Sequence, residues 1–221
     1  MGTLTCKRVL ITSGPTRGLI DRVRFISNRS SGKLGRAIAE AAAAAGAGVT
    51  FIRGEGSAAP RKGFGAARVL TIETVSDLTR TLDYLRDEPF DAVVHAMAVL
   101  DYEPERFTEG KVRSGMDEWV VRLRRVPKVI EIIRERWKQA VLVGFKLEVG
   151  TTDEELEERG AEFLKRANCD VVVANDLEQI EGERHRACIL WRNGEMKRWA
   201  EDKGEIAAGL VEVLGSLLGG S

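Results

Sequence analysis

The sequence predicts an α/β fold: a Rossmann-like, doubly wound, mostly parallel sheet finished by a C-terminal β-hairpin and helix. Three observations carry that expectation. Short β-rich apolar runs alternate with longer helix-forming stretches, which implies parallel pairing with helices on both faces. The apolar runs are continuous rather than alternating, as strands buried on both faces require. Near the C-terminus two strand-like runs flank Asn193-Gly194, a hairpin signal because both residue types tolerate positive φ.

In chain order, residues 8–12 read as the first buried strand. Residues 32–45 are Ala-rich and helix-forming, with Gly46 as the stop. Residues 49–52 and 68–72 are the second and third strands, separated by a Gly/Ala/Pro-rich surface loop over 54–67. Ser76 is placed to cap a helix reaching about Arg86. Residues 91–95 form the fourth strand, and residues 119–123 alternate as an exposed or edge strand. Pro127 suits the first turn of a helix ending near Lys138. Residues 140–145 and 170–174 are further buried strands around a charged helix over 153–166. The hairpin runs are 187–191 and 196–199, and a closing helix aligns Ile206, Leu210, Val213, Leu214 and Leu217 on one face.

The 221 residues are 43% hydrophobic, enough for a continuous core and within the range of one domain over 1–221. Charges balance at 34 Lys+Arg against 34 Asp+Glu, which argues against a dedicated nucleic-acid or membrane-surface binder. No apolar run approaches the roughly 20 residues a membrane span needs. The N-terminus lacks a signal-peptide pattern, and Cys6, Cys169 and Cys188 are too scattered for a zinc site or a disulfide set. A reducing cytoplasm is the expected location.

In doubly wound sheets ligands bind beyond the carboxyl ends of the strands, so the loops there carry the candidate chemistry. Thr12-Ser13-Gly14-Pro15-Thr16 follows the first strand with small residues that let a ligand approach the backbone, although an ordinary turn explains it as well. Ser27-Asn28-Arg29-Ser30-Ser31-Gly32-Lys33-Leu34-Gly35 leads into the Ala-rich helix, whose free amides and dipole make an anion site. It is neither a Walker A loop nor a G-x-G-x-x-G turn. A capped helix start explains one of its serines, not the cluster. His95-Ala96-Met97-Ala98-Val99-Leu100-Asp101-Tyr102 leaves the fourth strand, with Lys111 beyond; a carboxylate and a lysine there can bind a nucleotide and stabilise charge in transfer. His95 by itself reads as a satisfied strand-end histidine. Gly144-Phe145-Lys146 and Asn175-Asp176 end two further strands.

As an ordered set these segments, together with Ile11-Thr12-Ser13-Gly14, Val23-Arg24-Phe25-Ile26, Val126-Pro127-Lys128 and Val173-Ala174-Asn175-Asp176-Leu177, resemble the phosphopantothenate–cysteine ligases (phosphopantothenoylcysteine synthetases) of coenzyme A synthesis. The likeness spans nearly the whole chain and is closest to the stand-alone bacterial form, since no flavin-dependent decarboxylase segment precedes Met1. It implies a two-step reaction. The carboxylate of 4′-phosphopantothenate attacks the α-phosphate of a nucleotide triphosphate, CTP more readily than ATP, giving an acyl nucleotidate and pyrophosphate. The amine of L-cysteine then displaces the nucleotide. Mg2+ is implied on the nucleotide phosphates, with no protein metal ligands assigned, and the expected assembly is a homodimer with sites near the subunit interface.

The resemblance also implies roles. Asn28 is the amide of the second step and Lys111 the lysine of the first. Gly14, Met97, Asp101, Lys111, Pro127, Lys128, Phe145 and Lys165 match nucleotide-contacting positions. Arg24, Asn28, Ser30, Ser31 and Gly32 match substrate-contacting ones. Pro15 departs from the pattern by removing an amide donor, and Leu100 stands where a small residue is usual, which predicts a narrower nucleotide pocket. Two other readings are an NAD(P)-dependent oxidoreductase and a nucleotide-sensing regulatory domain. The first wants a glycine fingerprint and an acidic residue closing the second strand, which here ends at Arg53. The second would keep the binding loops without needing Asn28 or Lys111.

Overall fold

The protein is described from a computed structural model, which describes residues 2–61, 68–182 and 184–219. Part of the loop expected over 54–67 therefore lies outside the described residues.

The chain folds in the order β1 (Arg8–Pro15), β2 (Arg17–Leu19), β3 (Phe25–Ser27), α1 (Lys33–Ala44), β4 (Gly48–Gly54), β5 (Arg68–Ile72) and α2 (Val75–Tyr84). Next come β6 (Ala92–Ala98), β7 (Tyr102–Pro104), β8 (Leu123–Arg125), α3 (Val129–Arg136), β9 (Val141–Glu148) and α4 (Asp153–Arg166). The chain closes with β10 (Val171–Glu181), β11 (Arg184–Trp191), β12 (Met196–Asp202) and α5 (Lys203–Leu218). Eight strands form one sheet in the order β12-β11-β10-β9-β6-β1-β4-β5. Pairing is parallel from β10 across to β5 and antiparallel at β10–β11 and β11–β12. From β1 the chain builds outward through β4 and β5, then returns to the other side of β1 with β6, β9 and β10. The order reverses between β1 and β6, the point where open α/β sheets bind ligands.

Two apolar layers hold the sheet. On one face Val75, Leu78, Leu82, Val129, Ile133, Leu156 and Leu164 of α2, α3 and α4 pack on Leu10, Val93, Leu142 and Val172. On the other, Ile38, Ala39 and Ala42 of α1 and Ile206, Leu210, Val213 and Leu214 of α5 pack on Val9, Ile11, Val94 and Val173. Adjacent residues of a strand thus face opposite cores, and both must be apolar.

Several boundaries differ from expectation for local reasons. Helix α2 is capped by Thr74, not Ser76: Thr74 accepts from the Asp77 amide while the Asp77 carboxylate accepts from the Thr74 amide. Pro127 precedes α3 instead of opening it, because Lys128, the N-cap, is extended with ψ of 106°. Residues 119–122 form no strand. Pairing starts at Leu123, where β8 meets β7 in a separate two-stranded sheet, and the Trp119 ring lies under the Arg24 guanidinium at 4.6 Å. The hairpin of β11 and β12 forms, but its turn is a 3-10 segment over Arg192–Gly194, with positive φ at Arg192 and Gly194. The short antiparallel pair β2–β3 has no expected counterpart.

The capping box gives a direct check. Thr74→Ala should lower stability by ~1 kcal/mol, measured by urea unfolding, whereas Ser76→Ala should be nearly silent.

Candidate active site

Three segments meet at the switch point. Thr16, fully buried, donates its amide to the Ala98 carbonyl at 3.2 Å, and its hydroxyl accepts the Leu100 amide at 3.0 Å. Its carbonyl accepts the Ser27 hydroxyl at 2.9 Å, and Asn28 Nδ2 donates to the Val99 carbonyl at 3.1 Å. The ends of β1, β3 and β6 are thereby fixed together. Pro15 offers no amide here, and Thr16 supplies the donor instead.

Beyond β6 lies a cavity of about 160 Å3 lined by His95, Met97, Asp101, Pro127, Lys128, Phe145 and Phe163. Lys128 Nζ donates to Asp101 at 2.6 Å across its mouth. Gly144 admits the Phe163 ring: a Cβ there would stand 2.9 Å from Phe163 and from Cys169 Sγ. His95 faces Thr12 Oγ1 through Nδ1 at 2.7 Å, and burial lowers its pKa to about 4, so it is a neutral, satisfied ring. Leu100 is buried in the core and is not among the residues that line this cavity.

A second cavity, about 290 Å3, shares Met97 and Phe145 with the first and is lined by residues 29–35 together with Asn175, Leu177, Ile180, His185 and Lys203. Its floor is the start of α1. Gly32 is the N-cap in the left-handed region, with φ of 72°, so the cap residue offers no side chain, and the Ser31 hydroxyl accepts the Lys33 amide at 3.4 Å. Ser13 Oγ donates to the Gly32 carbonyl, and Gly35 sits so close to Ser13 that a Cβ would come within 2.2 Å of its oxygen. The first-turn amides face the cavity side of a helix with no acidic residue in that turn, an arrangement that favours an anion. Asn175 faces this cavity, while the next residue, Asp176, points inward. Burial opposes Asp176 ionisation, but bonds from the Thr151 amide and hydroxyl and the Glu178 amide hold its pKa down to about 2. It fixes the turn before α4. Larger depressions lie beside residues 119–122, along the outer edge at β5 and α2, and beside the start of α3; the first two reach no open helix start, and the third is lined by Glu131 and Glu135, which disfavour an anion.

Of the residues singled out from the sequence, the structure gathers Met97, Asp101, Pro127, Lys128 and Phe145 around the smaller cavity and Ser30, Ser31 and Gly32 around the larger. Asn28 stands beside them with its NH2 turned to the β6 end; it does not cap α1. Gly14 is buried, with φ of 77°, against Ser57, and shapes the β1 end without lining either cavity. Arg24 donates to the Val112 carbonyl at 2.6 Å and lies 3.6 Å from Asp21, a buried carboxylate that accepts the amides of Val23, Arg24 and Val112. Lys111 rides on that tethered segment, exposed and outside both cavities. Lys165 is exposed in the last turn of α4, also outside both.

The family described as the DNA/pantothenate metabolism flavoprotein C-terminal domain matches residues 4–217. The chain belongs to this family. The coenzyme A biosynthesis bifunctional protein CoaBC of Thermococcus kodakarensis is 36% identical over 217 residues, 98% of this chain and 53% of that protein. CoaBC of Methanocaldococcus jannaschii is 35% identical over 212 residues, 96% of this chain and 51% of that protein. The chain thus spans about half the length of the curated relatives it matches. The crystal structure of the DNA/pantothenate metabolism flavoprotein from Streptococcus pneumoniae superposes with a TM-score of 0.87 at 28% identity, covering 96% of this chain and 100% of that one. The open, mostly parallel sheet with its antiparallel C-terminal strands is therefore the fold of this family domain. Among the described residues no helix is long and apolar enough to cross a membrane.

Ile180, His185 and Lys203 of the larger cavity were not singled out from the sequence. They arrive because β10 runs on to Glu181 and reverses into β11, a geometry without a local motif. One signal was present: His185 is one of two histidines in the chain and stands at a strand start.

The buried histidines set a pH dependence for the fold. In the unfolded chain His95 titrates near 6.5; in the folded one its pKa is about 4, and His185 is lowered likewise. Between those values the unfolded chain binds more protons, so stability present above pH 6.5 is lost as the pH falls towards 4. Urea midpoints measured across that window should fall, and His95→Gln should flatten the slope while leaving the part due to His185.

Proposed function

We propose that the chain is a phosphopantothenate–cysteine ligase of coenzyme A synthesis, acting as one Rossmann-like domain in the cytoplasm. The observation that carries this reading is the pair of cavities at one strand-end switch point. One has a Lys128–Asp101 pair and an aromatic wall suited to a nucleoside, and the other has an open helix start suited to phosphate. The relatives' role in coenzyme A biosynthesis agrees with it.

In the first step the substrate carboxylate oxygen bonds to the α-phosphorus of CTP, the bond to the β-phosphate oxygen breaks, and pyrophosphate leaves. Negative charge gathers at phosphorus, where a fixed cation helps the transition state more than the ground state. That is the role proposed for Lys111. The charged groups lining the larger cavity are cations, so Mg2+ would be held by triphosphate oxygens rather than by protein carboxylates. In the second step the amine of L-cysteine bonds to the acyl carbon, the bond to the nucleotide phosphate breaks, and CMP and a proton leave. Gly14, Met97, Asp101, Pro127, Lys128, Phe145 and Lys165 are assigned to the nucleotide, and Arg24, Asn28, Ser30, Ser31 and Gly32 to the acid substrate. Gly14 and Arg24 act through the backbone they position.

A homodimer suits the surface around the two small sheets. Val23, Phe25, Tyr102, Phe107, Trp119 and Val120 are all exposed there, next to the open edge strands. Lys111 lies among these segments, so association of two copies is the route proposed to bring it to a cavity. Sedimentation at micromolar concentration should find a dimer.

The first half-reaction tests the reading directly. With CTP and 4′-phosphopantothenate but no cysteine, the protein should release pyrophosphate, with higher kcat/KM for CTP than for ATP. Folded Lys111→Ala should not release it. Absence of release from the wild-type protein would overturn the proposal.

Asn28 separates the two steps. Its NH2 is held against the Val99 carbonyl, ready to donate to an acyl oxygen as cysteine attacks. Asn28→Asp should still form the acyl nucleotidate but lose roughly 10²–10³ in amide formation, so that quenched single turnovers trap the intermediate. If Asn28 only ties β3 to β6, both half-reactions should slow alike.

A further inference from the structure

His185, the second residue of β11, pairs with Ile180 and lines the larger cavity, with only 8% of its surface exposed. Both ring nitrogens are sealed from solvent and have no hydrogen-bond partner. Such a group is costly in a folded protein unless something completes it. The chain's other histidine, His95, is equally buried yet closed by Thr12.

The surroundings define what would complete His185. Across the cavity stands the start of α1, where only the Ser31 hydroxyl, at 3.4 Å, meets a first-turn amide, in contrast to α2 and α4, whose capping boxes use Thr74 with Asp77 and Thr152 with Glu155. Among the described residues the charged side chains in the lining are Arg29, Lys33 and Lys203, with no carboxylate. Lys203 also donates to the Gly182 carbonyl at 2.9 Å, which steadies the turn before β11. Burial, and then the neighbouring Lys203 ammonium, lower the His185 pKa to about 4. The ring therefore meets a ligand neutral, with one donor and one acceptor nitrogen.

We infer that His185 is a phosphate-binding residue: a turn of its ring brings one of the sealed nitrogens to the cavity, where its N–H donates to a phosphoryl oxygen of a ligand seated on the first turn of α1. The inference rests on the ligase reading only for the source of that phosphate. It is either the terminal phosphates of the nucleotide, which leave as pyrophosphate, or the phosphate of the acid substrate.

Because the chain holds two histidines, ring-nitrogen NMR of the histidine-labelled wild-type protein resolves both, with His95→Gln assigning them. Inorganic pyrophosphate and 4′-phosphopantothenate are titrated separately. Saturable movement of the His185 signals by either ligand supports the inference and names the phosphate source. For that ligand, His185→Ala, checked for folding by circular dichroism, should weaken calorimetric binding about tenfold. Signals that stay fixed at saturation with both ligands overturn the inference, as does a folded His185→Ala that binds both as the wild type does. If the variant does not fold, the wild-type titration decides. The ligase reading fails separately: a His185 that responds to pyrophosphate in a protein releasing none from CTP keeps the phosphate cradle and removes the ligase.

Discussion

Thr16 uses its amide, carbonyl and hydroxyl to join segments that are far apart in sequence, and the candidate site exists because of that knot. A sheet of this kind naturally leaves its strand ends frayed, since the chain departs there in different directions. Here β1, the β2–β3 pair and the end of β6 are held by hydrogen bonds around Thr16, of which the Leu100 amide to the Thr16 hydroxyl is buried, where such a bond is stronger. Asn28 adds its own bond to the same place. The position of every cavity-lining residue from Arg29 to Gly35 follows from that anchorage.

The second structural decision is where the helices close their own ends. Helices α2 and α4 satisfy their first amides internally through Thr74–Asp77 and Thr152–Glu155, and both starts are thereby electrically quiet. Helix α1 does not. Gly32 turns the chain without a side chain, Ser31 meets only the Lys33 amide at 3.4 Å, and Ser13 turns its hydroxyl to the Gly32 carbonyl rather than to an amide. This sparsely capped helix end borders a cavity whose charged side chains, among the described residues, are positive. Local stability has been left unspent there, which is the usual sign of a functional position.

How much of this could be read from the chain depends on whether the signal was local. Val9-Leu10-Ile11 and Val171-Val172-Val173 announce strands buried on both faces, and the parallel sheet followed from them. The serine-rich run before α1 and the Met97-to-Asp101 loop marked both cavities, because strand ends and helix starts carry their chemistry in adjacent residues. Thr74 and Ser76 are both competent caps; the choice between them turned on Asp77, three residues after Thr74, which the simple rule did not weigh. Trp119 to Leu123 alternates like a strand, but the cation above Trp119 and the short β7 partner are tertiary facts. The sequence marks His185 only as one of two histidines, and its place in the cavity is likewise a tertiary fact. Its neighbours in the cavity come from the other end of the chain, brought together by an antiparallel return that no local pattern encodes.

Met97 and Phe145 are wall to both cavities at once, and that shared wall makes them communicate. An occupant that presses Phe145 one way changes the volume left on the other side, so the two compartments cannot fill independently. Linkage makes any such effect reciprocal: whatever the first guest does to the affinity of the second, the second does in equal measure to the first.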